Sequence, residues 1–137
     1  MTYAGDVTPD DAWAALRDQP DAVLVDVRTR AEWAYVGLPD LGPIGKEVVQ
    51  VEWQSYPDGG VNELFTSDLE DAGVAHDQPV YFLCRSGVRS IAAAEVATRD
   101  GWAEAYNVLE GFEGPHDDQR HRVVAGWKVA GLPWVQG

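Results

Sequence analysis

Short apolar runs that alternate with helical patterns are the feature that most restricts the fold of this 137-residue chain. Residues 22–25 and Val80–Leu83 are continuous apolar runs of four residues, too short for a helix, which is typical of strands buried on both faces of a sheet. Residues 105–109 are a third strand candidate. Because strands that alternate with helices form parallel sheets, the sequence predicts one α/β domain over residues 1–137. Its central sheet is expected to be mostly parallel, with helices on both faces.

Capping and turn residues place the remaining elements. Thr8, followed by Pro9 and two acidic residues, marks a helix start. Thr29 is expected to cap a short helix that carries Glu32 and Trp33. The other predicted elements are a strand over 47–52, a helix capped by Asn62 and ended by Gly73, a helix over Val88–Arg99, loops over 37–45 and 111–119, and a last helix over 120–130.

The composition argues against several classes of function. A formal net charge of −13 disfavours a broad surface for nucleic acid or anionic membrane. No stretch approaches the roughly 18 apolar residues of a membrane span, and a single cysteine cannot form an internal disulfide, so we expect a cytoplasmic protein. The three histidines have no metal-binding spacing and no glycine-rich nucleotide motif is present, so neither a metal nor a cofactor is expected.

The single cysteine, Cys84, stands where the run Val80–Leu83 ends and a predicted helix follows. A loop between a strand and a helix aims several backbone N–H groups and the positive end of the helix dipole at one point, which stabilises a thiolate or a bound anion. Arg85 and Arg89 make this loop a small cationic region on an acidic chain, which suits a small anionic substrate. The alternative is a buried thiol that packs as a small hydrophobic residue.

The loop Cys84-Arg85-Ser86-Gly87-Val88-Arg89 resembles the six-residue active-site loop of single-domain rhodaneses, which are sulfurtransferases. Two further segments strengthen the resemblance, and both stand in the expected order along the chain. These are Asp26-Val27-Arg28 with the later pair Glu32-Trp33, and Gly131-Leu132-Pro133 near the end.

The resemblance implies that Cys84 accepts a sulfane sulfur as a persulfide and passes it to a second nucleophile. The donor would be a small anion such as thiosulfate, and the acceptor a thiol, cyanide or a protein partner that handles persulfide. The backbone of residues 85–89 would bind the donor. Asp26, Arg28 and Glu32 would support this edge of the domain. From their spacing alone, Arg28 and Glu32 are four residues apart and able to pair.

Departures from the family pattern leave the acceptor undetermined. The segment 37–60 lacks the usual motif after Glu32-Trp33, and residues 113–119 lengthen the loop before the last predicted helix. A sulfur-carrying or redox-sensing interaction module is therefore an alternative to a turnover enzyme. A phosphatase or arsenate reductase is a minor alternative, because only four residues separate Cys84 from Arg89 where phosphatases place five.

Overall fold

The computed structural model describes residues 3–54, 60–84, 88–109, 111–112, 127–128 and 130–135, without the side chains of Tyr35 and Val88. Within these residues the strands are β1 Gly5–Val7, β2 Val23–Asp26, β3 Leu38–Pro39, β4 Val49–Gln50, β5 Val80–Leu83, β6 Ala105–Val108 and β7 Trp134–Val135. The helices are α1 Pro9–Asp18, α2 Arg30–Tyr35, α3 Phe65–Asp71 and α4 Val88–Arg99, with a short 3₁₀ helix over Gly42–Ile44.

The main sheet has five strands in the order β1-β6-β5-β2-β4, and all of its pairings are parallel. Strand β5 lies at the centre, where Leu83 is in register with Asp26 of β2. Strands β3 and β7 form a separate antiparallel pair. Because the main strands run in one direction, their carboxyl ends meet at one edge of the sheet, the usual location of a site in this class of fold.

Helices cover both faces of this sheet, so the predicted α/β architecture is confirmed. On one face, α1 buries Ala12 and Leu16 in a cluster with Leu24, Tyr81 and Leu83. On the other face, α3 and α4 bury the side chains Phe65, Leu69, Ala93, Ala94 and Ala97 in a cluster with Val25 and Phe82. Neighbouring residues of β2 and β5 therefore point into different clusters, which explains why these strands are apolar at every position.

The capping predictions for the first two helices are confirmed. Thr8 accepts a hydrogen bond from the backbone of Asp11 at 3.1 Å, and α1 begins at Pro9. Thr29 forms a reciprocal capping box with Glu32 at the start of α2. None of the helices in the described part of the chain is long and apolar enough to cross a membrane.

Three expectations need correction, and a fourth concerns residues that lie mostly outside the described part of the chain. The strand predicted over 47–52 is only β4, and part of the predicted loop 37–45 forms β3 and the 3₁₀ helix. Asn62 does not cap α3 directly; it accepts a hydrogen bond from Leu64, the residue before the helix. Most of the last predicted helix lies outside the described residues, and Trp127 and Lys128 lie in a turn.

Candidate functional site

Cys84 follows the central strand β5 at the carboxyl edge of the sheet and is buried, with 1% of its surface exposed. Its carbonyl accepts a hydrogen bond from the backbone of Phe112 at 2.7 Å, and its Sγ lies 3.3 Å from the hydroxyl of Ser90 in the first turn of α4. The thiol is thus held between a strand end and a helix start, as predicted. Residues 85–87 and the side chain of Val88 lie outside the described part, so the shape of the loop stays a prediction.

Asp26 and Arg28 form a buried ion pair beside this position. Arg28 donates from Nε to Oδ1 of Asp26 at 2.9 Å and from Nη2 to Oδ2 at 2.7 Å, and neither side chain is exposed to solvent. The backbone N–H of Arg28 also donates to Oδ1 at 3.1 Å. The guanidinium and the two carboxylate oxygens form a bidentate pair, which is the strongest geometry for an arginine and a carboxylate.

The guanidinium of Arg28 also joins separate parts of the chain. Its Nη2 donates to the carbonyl of Gly37 at 2.7 Å, and its Cζ lies 4.3 Å from the centre of the Phe112 ring. The Nζ of Lys128 lies over the neighbouring Trp134, 3.9 Å from the centre of its ring. Arg28 therefore links the end of β2 to the chain before β3 and to the segment that follows β6.

The predicted pair between Arg28 and Glu32 is wrong. An i,i+4 pair requires both residues in one helix, and Arg28 precedes Thr29, the residue that caps α2. Arg28 instead folds back onto Asp26. Glu32 pairs with Arg89 of α4, at 2.7 Å between Oε1 and Nη1 and at 2.9 Å between Oε2 and Nη2.

This second pair fixes the start of α4 against α2. Burial raises the pKa of Glu32, but hydrogen bonds from the Arg89 guanidinium and the Thr29 backbone outweigh it and hold that pKa below its usual value. The hydrogen bond to Glu32 raises the pKa of Arg89 in turn. Arg89, which belongs to the cationic loop expected to suit an anionic substrate, directs both of its terminal nitrogens to Glu32.

A polar chain that sequence reasoning missed runs away from the cysteine beneath α4. Ser90 Oγ lies 2.5 Å from Asn107 Oδ1, and Asn107 Nδ2 donates to Asp6 at 3.0 Å. Tyr3 donates to the same Asp6 oxygen at 2.6 Å, which raises the pKa of Tyr3 to about 12. Ser90 and Asn107 are buried. A polar residue inside the apolar strand β6 was the signal that could have revealed this chain.

A cleft of about 300 Å³ opens near the end of β4. Its lining is mostly polar and comprises Arg30, Trp33, Gln50, Val51, Glu52, Asn62 and Asp68. The backbone of Arg30 donates to Glu52 at 2.9 Å across this cleft. The indole N–H of Trp33 is buried and has no hydrogen-bond partner among the described residues. Over the described ranges, no group of three or more His, Cys, Asp or Glu side chains is placed to hold a metal ion.

Comparisons with known proteins give one family match and two relatives that cover most of the chain. Residues 4–137 match the family model described as the STR4 middle domain. The chain is 55% identical to Rv0390 from M. tuberculosis, whose crystal structure it matches with a TM-score of 0.90 over 99% of this chain and 100% of that one. It is also 42% identical over 123 residues to the uncharacterized protein RC0915 of Rickettsia conorii, covering 90% of each chain.

A more distant relative has a named activity. The thiosulfate sulfurtransferase GlpE of Glaesserella parasuis is 28% identical over 112 residues, which is 80% of this chain and 83% of that protein. The chain also matches the rhodanese-like domain-containing protein 4 of Arabidopsis thaliana, at 25% identity over 126 residues, which is 92% of this chain and 24% of that protein. The fold is therefore rhodanese-like.

Proposed function

Because the chain belongs to the STR4 middle-domain family and has a rhodanese-like fold, we propose that it is a sulfurtransferase whose nucleophile is Cys84. The observation that carries this proposal is the position of Cys84, the single cysteine, between the end of the central strand and the start of α4. The distant relative named as a thiosulfate sulfurtransferase supports the same chemistry.

The reaction has two steps that need no oxidant. The Cys84 sulfur attacks the outer sulfur of thiosulfate, a sulfur–sulfur bond forms, and sulfite leaves with the electrons of the bond that breaks. The acceptor, a thiol or cyanide, then attacks the terminal sulfur of the persulfide, and the cysteine returns to its starting state. Both steps are displacements at sulfur, so neither a metal nor a cofactor enters the scheme.

Backbone groups of the loop and one arginine side chain would together bind the anionic donor. The backbone N–H groups of residues 85–89 would bind the donor and the persulfide, and Arg85 would meet the charged end of thiosulfate. Arg89 lies at the same helix start, but its fork is occupied by Glu32 at 2.7 and 2.9 Å. We therefore assign Arg89 to positioning α4, and Arg85 to the donor. The engagement of Arg89 by Glu32 also argues against a phosphatase, because a phosphatase would need Arg89 to bind the phosphate.

In this proposal the physiological donor or acceptor of sulfur can be a protein partner as well as a small molecule. Cys84 is almost fully buried, so the group that reaches its sulfur must be a small anion or an extended segment of a partner. A reducing compartment such as the cytoplasm would keep its thiol available.

Intact-protein mass spectrometry tests the proposal directly. Incubation with thiosulfate should add the mass of one sulfur atom, and cyanide should remove it and yield thiocyanate. Cys84→Ser should abolish both events while circular dichroism shows an unchanged fold, because the substitution removes the nucleophile and little volume. Persulfide formation or substantial transfer by the serine variant would contradict the proposal. A sulfur that is gained but passed to neither cyanide nor small thiols would identify a carrier instead of a turnover enzyme.

A further inference from the structure

The chain from just before β4 to Cys84 carries negative charge that no cation within it offsets. Residues 47–84 contain eight acidic residues and no lysine or arginine. The acids are Glu47, Glu52, Asp58, Glu63, Asp68, Glu70, Asp71 and Asp77. Among the described residues, none of these acids forms an ion pair with a lysine or an arginine. This acidic stretch therefore has a formal charge of −8, against −13 for the whole chain.

Two apolar side chains are exposed on the acidic stretch. Leu64 is 66% exposed and Val61 is 53% exposed, and no other large apolar side chain of the described residues is as exposed as Leu64. Glu63, which lies between them in the sequence, is exposed as well. A single exposed apolar residue is ordinary, but apolar residues grouped beside clefts are typical of surfaces that bind another protein.

Asn62 lines the cleft of about 300 Å³ at the end of β4, the polar cleft. Its amide donates to the carbonyl of Glu52 and to the carboxylate of Asp68, both at 2.9 Å, and so holds segment 61–64 at the side of this cleft. The carboxylates of Glu52 and Asp68 stand against one cation in the lining, Arg30. The polar cleft therefore favours a positively charged group over a negative one.

Asn62 also lines a second cleft of about 200 Å³, the apolar cleft. Trp53, Val61 and Val96 contribute apolar surface to it. Arg99 lines it too, but its charge is offset by Asp100, 3.1 Å away. Segment 61–64 is thus bordered by one cleft suited to a cation and by another suited to an apolar side chain.

Backbone hydrogen bonds connect this surface to the strand that precedes Cys84. Val27 donates to the carbonyl of Leu83 at 2.8 Å, Trp53 donates to Val27 at 3.1 Å, and Asn62 donates to Trp53 at 2.7 Å. Because backbones paired in this way lie about 4.8 Å apart, three such steps place Asn62 roughly 15 Å from the end of β5. An extended chain covers that distance with about four or five residues.

We propose that segment 61–64 and its two clefts dock a basic segment of a partner protein, with a lysine or arginine in the polar cleft and an apolar side chain in the apolar cleft. Charge complementarity selects this occupant. A second copy of the chain would add another charge of −13, and an anionic membrane would be repelled in the same way.

The docked segment would lie within reach of Cys84. A thiol about five residues from the anchored part of the partner could meet the Cys84 sulfur, which makes the partner a donor or an acceptor of sulfur. Only this role of the partner rests on the proposed function. The docking itself is measured without a sulfur donor.

Fluorescence anisotropy with two labelled peptides and the full-length protein tests the docking. In the first peptide lysines alternate with leucines, and in the second glutamates replace the lysines. At about 50 mM salt the lysine peptide should bind about tenfold more tightly, and this advantage should shrink at about 500 mM salt, because salt screens charges at the surface. Equal binding of the two peptides would overturn the proposal.

Two pairs of variants locate the binding site on the protein. Leu64→Ser should weaken binding of the lysine peptide about fivefold, because it removes apolar surface that docking buries. Leu109→Ser, at a leucine 37% exposed beyond the end of β6, is the matched control and should leave binding unchanged. Glu63→Lys should weaken binding about fivefold at low salt, whereas Glu104→Lys, the same charge change at an exposed residue before β6, should weaken it less than about twofold.

Equal losses in a variant and its control would overturn the proposal, because the peptide would then bind the overall charge or surface of the protein. If Leu64→Ser does not fold, as judged by circular dichroism, the charge pair decides the question alone. Analytical ultracentrifugation tests the other occupant: a dimer that Leu64→Ser dissociates would assign this surface to a second copy and overturn the proposal. Absence of persulfide formation in the mass-spectrometry assay would leave the anisotropy results unaffected, so failure of the proposed function and failure of this inference are distinguishable.

Discussion

Replacing Arg28 by methionine should destabilise the protein severely. Arginine is usually a surface residue, but Arg28 is fully buried. The substitution keeps most of the aliphatic volume and removes the guanidinium. Within the described structure, Arg28 supplies three of the four hydrogen bonds to the Asp26 carboxylate through its side chain, and the fourth comes from its backbone. The variant therefore leaves a fully buried carboxylate with one backbone donor.

The size of the effect follows from that uncompensated charge. Removing one partner of a buried ion pair costs about 3–5 kcal/mol, and the carbonyl of Gly37 loses its donor as well. With a urea m-value of roughly 1.5 kcal/mol/M, the unfolding midpoint should fall by about 2–3 M. Urea unfolding followed by tryptophan fluorescence and by circular dichroism measures this change.

The double variant Asp26→Leu with Arg28→Met separates the lost pair from the stranded charge. Replacing both members by apolar residues is often neutral in such sites, so the double variant should recover most of the loss. A single variant that costs less than about 1 kcal/mol would refute the reasoning, because it would mean that water or another cation reaches Asp26. A double variant no more stable than the single one would refute it too, since packing and not charge would then explain the loss.

Two further predictions concern the second ion pair and a constrained glycine. Glu32→Gln should lower the free energy of unfolding by about 1 kcal/mol at neutral pH, because its partner Arg89 is only partly exposed. The folded state lowers the pKa of Glu32, so this loss should be complete above pH 4.5 and should disappear as the pH falls below it. A pH-independent difference in urea unfolding would contradict the assignment. Gly37→Ala should cost roughly 2–3 kcal/mol, because at φ +119° its Cβ would lie 2.6 Å from the carbonyl oxygen of Val135. Gly45→Ala, at φ +72° with nothing within 4 Å, should cost only about 1 kcal/mol, and equal losses in thermal unfolding would show that the close approach is relieved.

The sequence was sufficient where a local pattern carries the structural information. The run Val80–Leu83 and the helix Val88–Arg99 have the predicted bounds, because burial on both faces and helix propensity are written into consecutive residues. The capping residues Thr8 and Thr29 likewise act on N–H groups only three positions away. The position of Cys84 between a strand and a helix followed from these elements.

Features that depend on residues distant in sequence were not predictable in the same way. Strand β1 has three residues and pairs with β6, so nothing in its own sequence indicates a strand. The pairing of Glu32 with Arg89 joins positions 57 apart, and spacing rules within one helix cannot show it. The link from Ser90 through Asn107 to Asp6 has the same character, because only the order of strands in the sheet brings these three together.

That order of strands also governs how the chain can fold. No two paired strands of the five-stranded sheet are joined by a turn, and Asn107 and Asp6 meet across 101 positions. Loops of this length must close before any contact between paired strands repays their entropy, and this requirement slows the formation of a parallel sheet. The polar chain beneath Cys84 is complete only when β1 docks on β6. The contact between Asn107 inside the sheet and Asp6 therefore forms only when the outermost strand arrives.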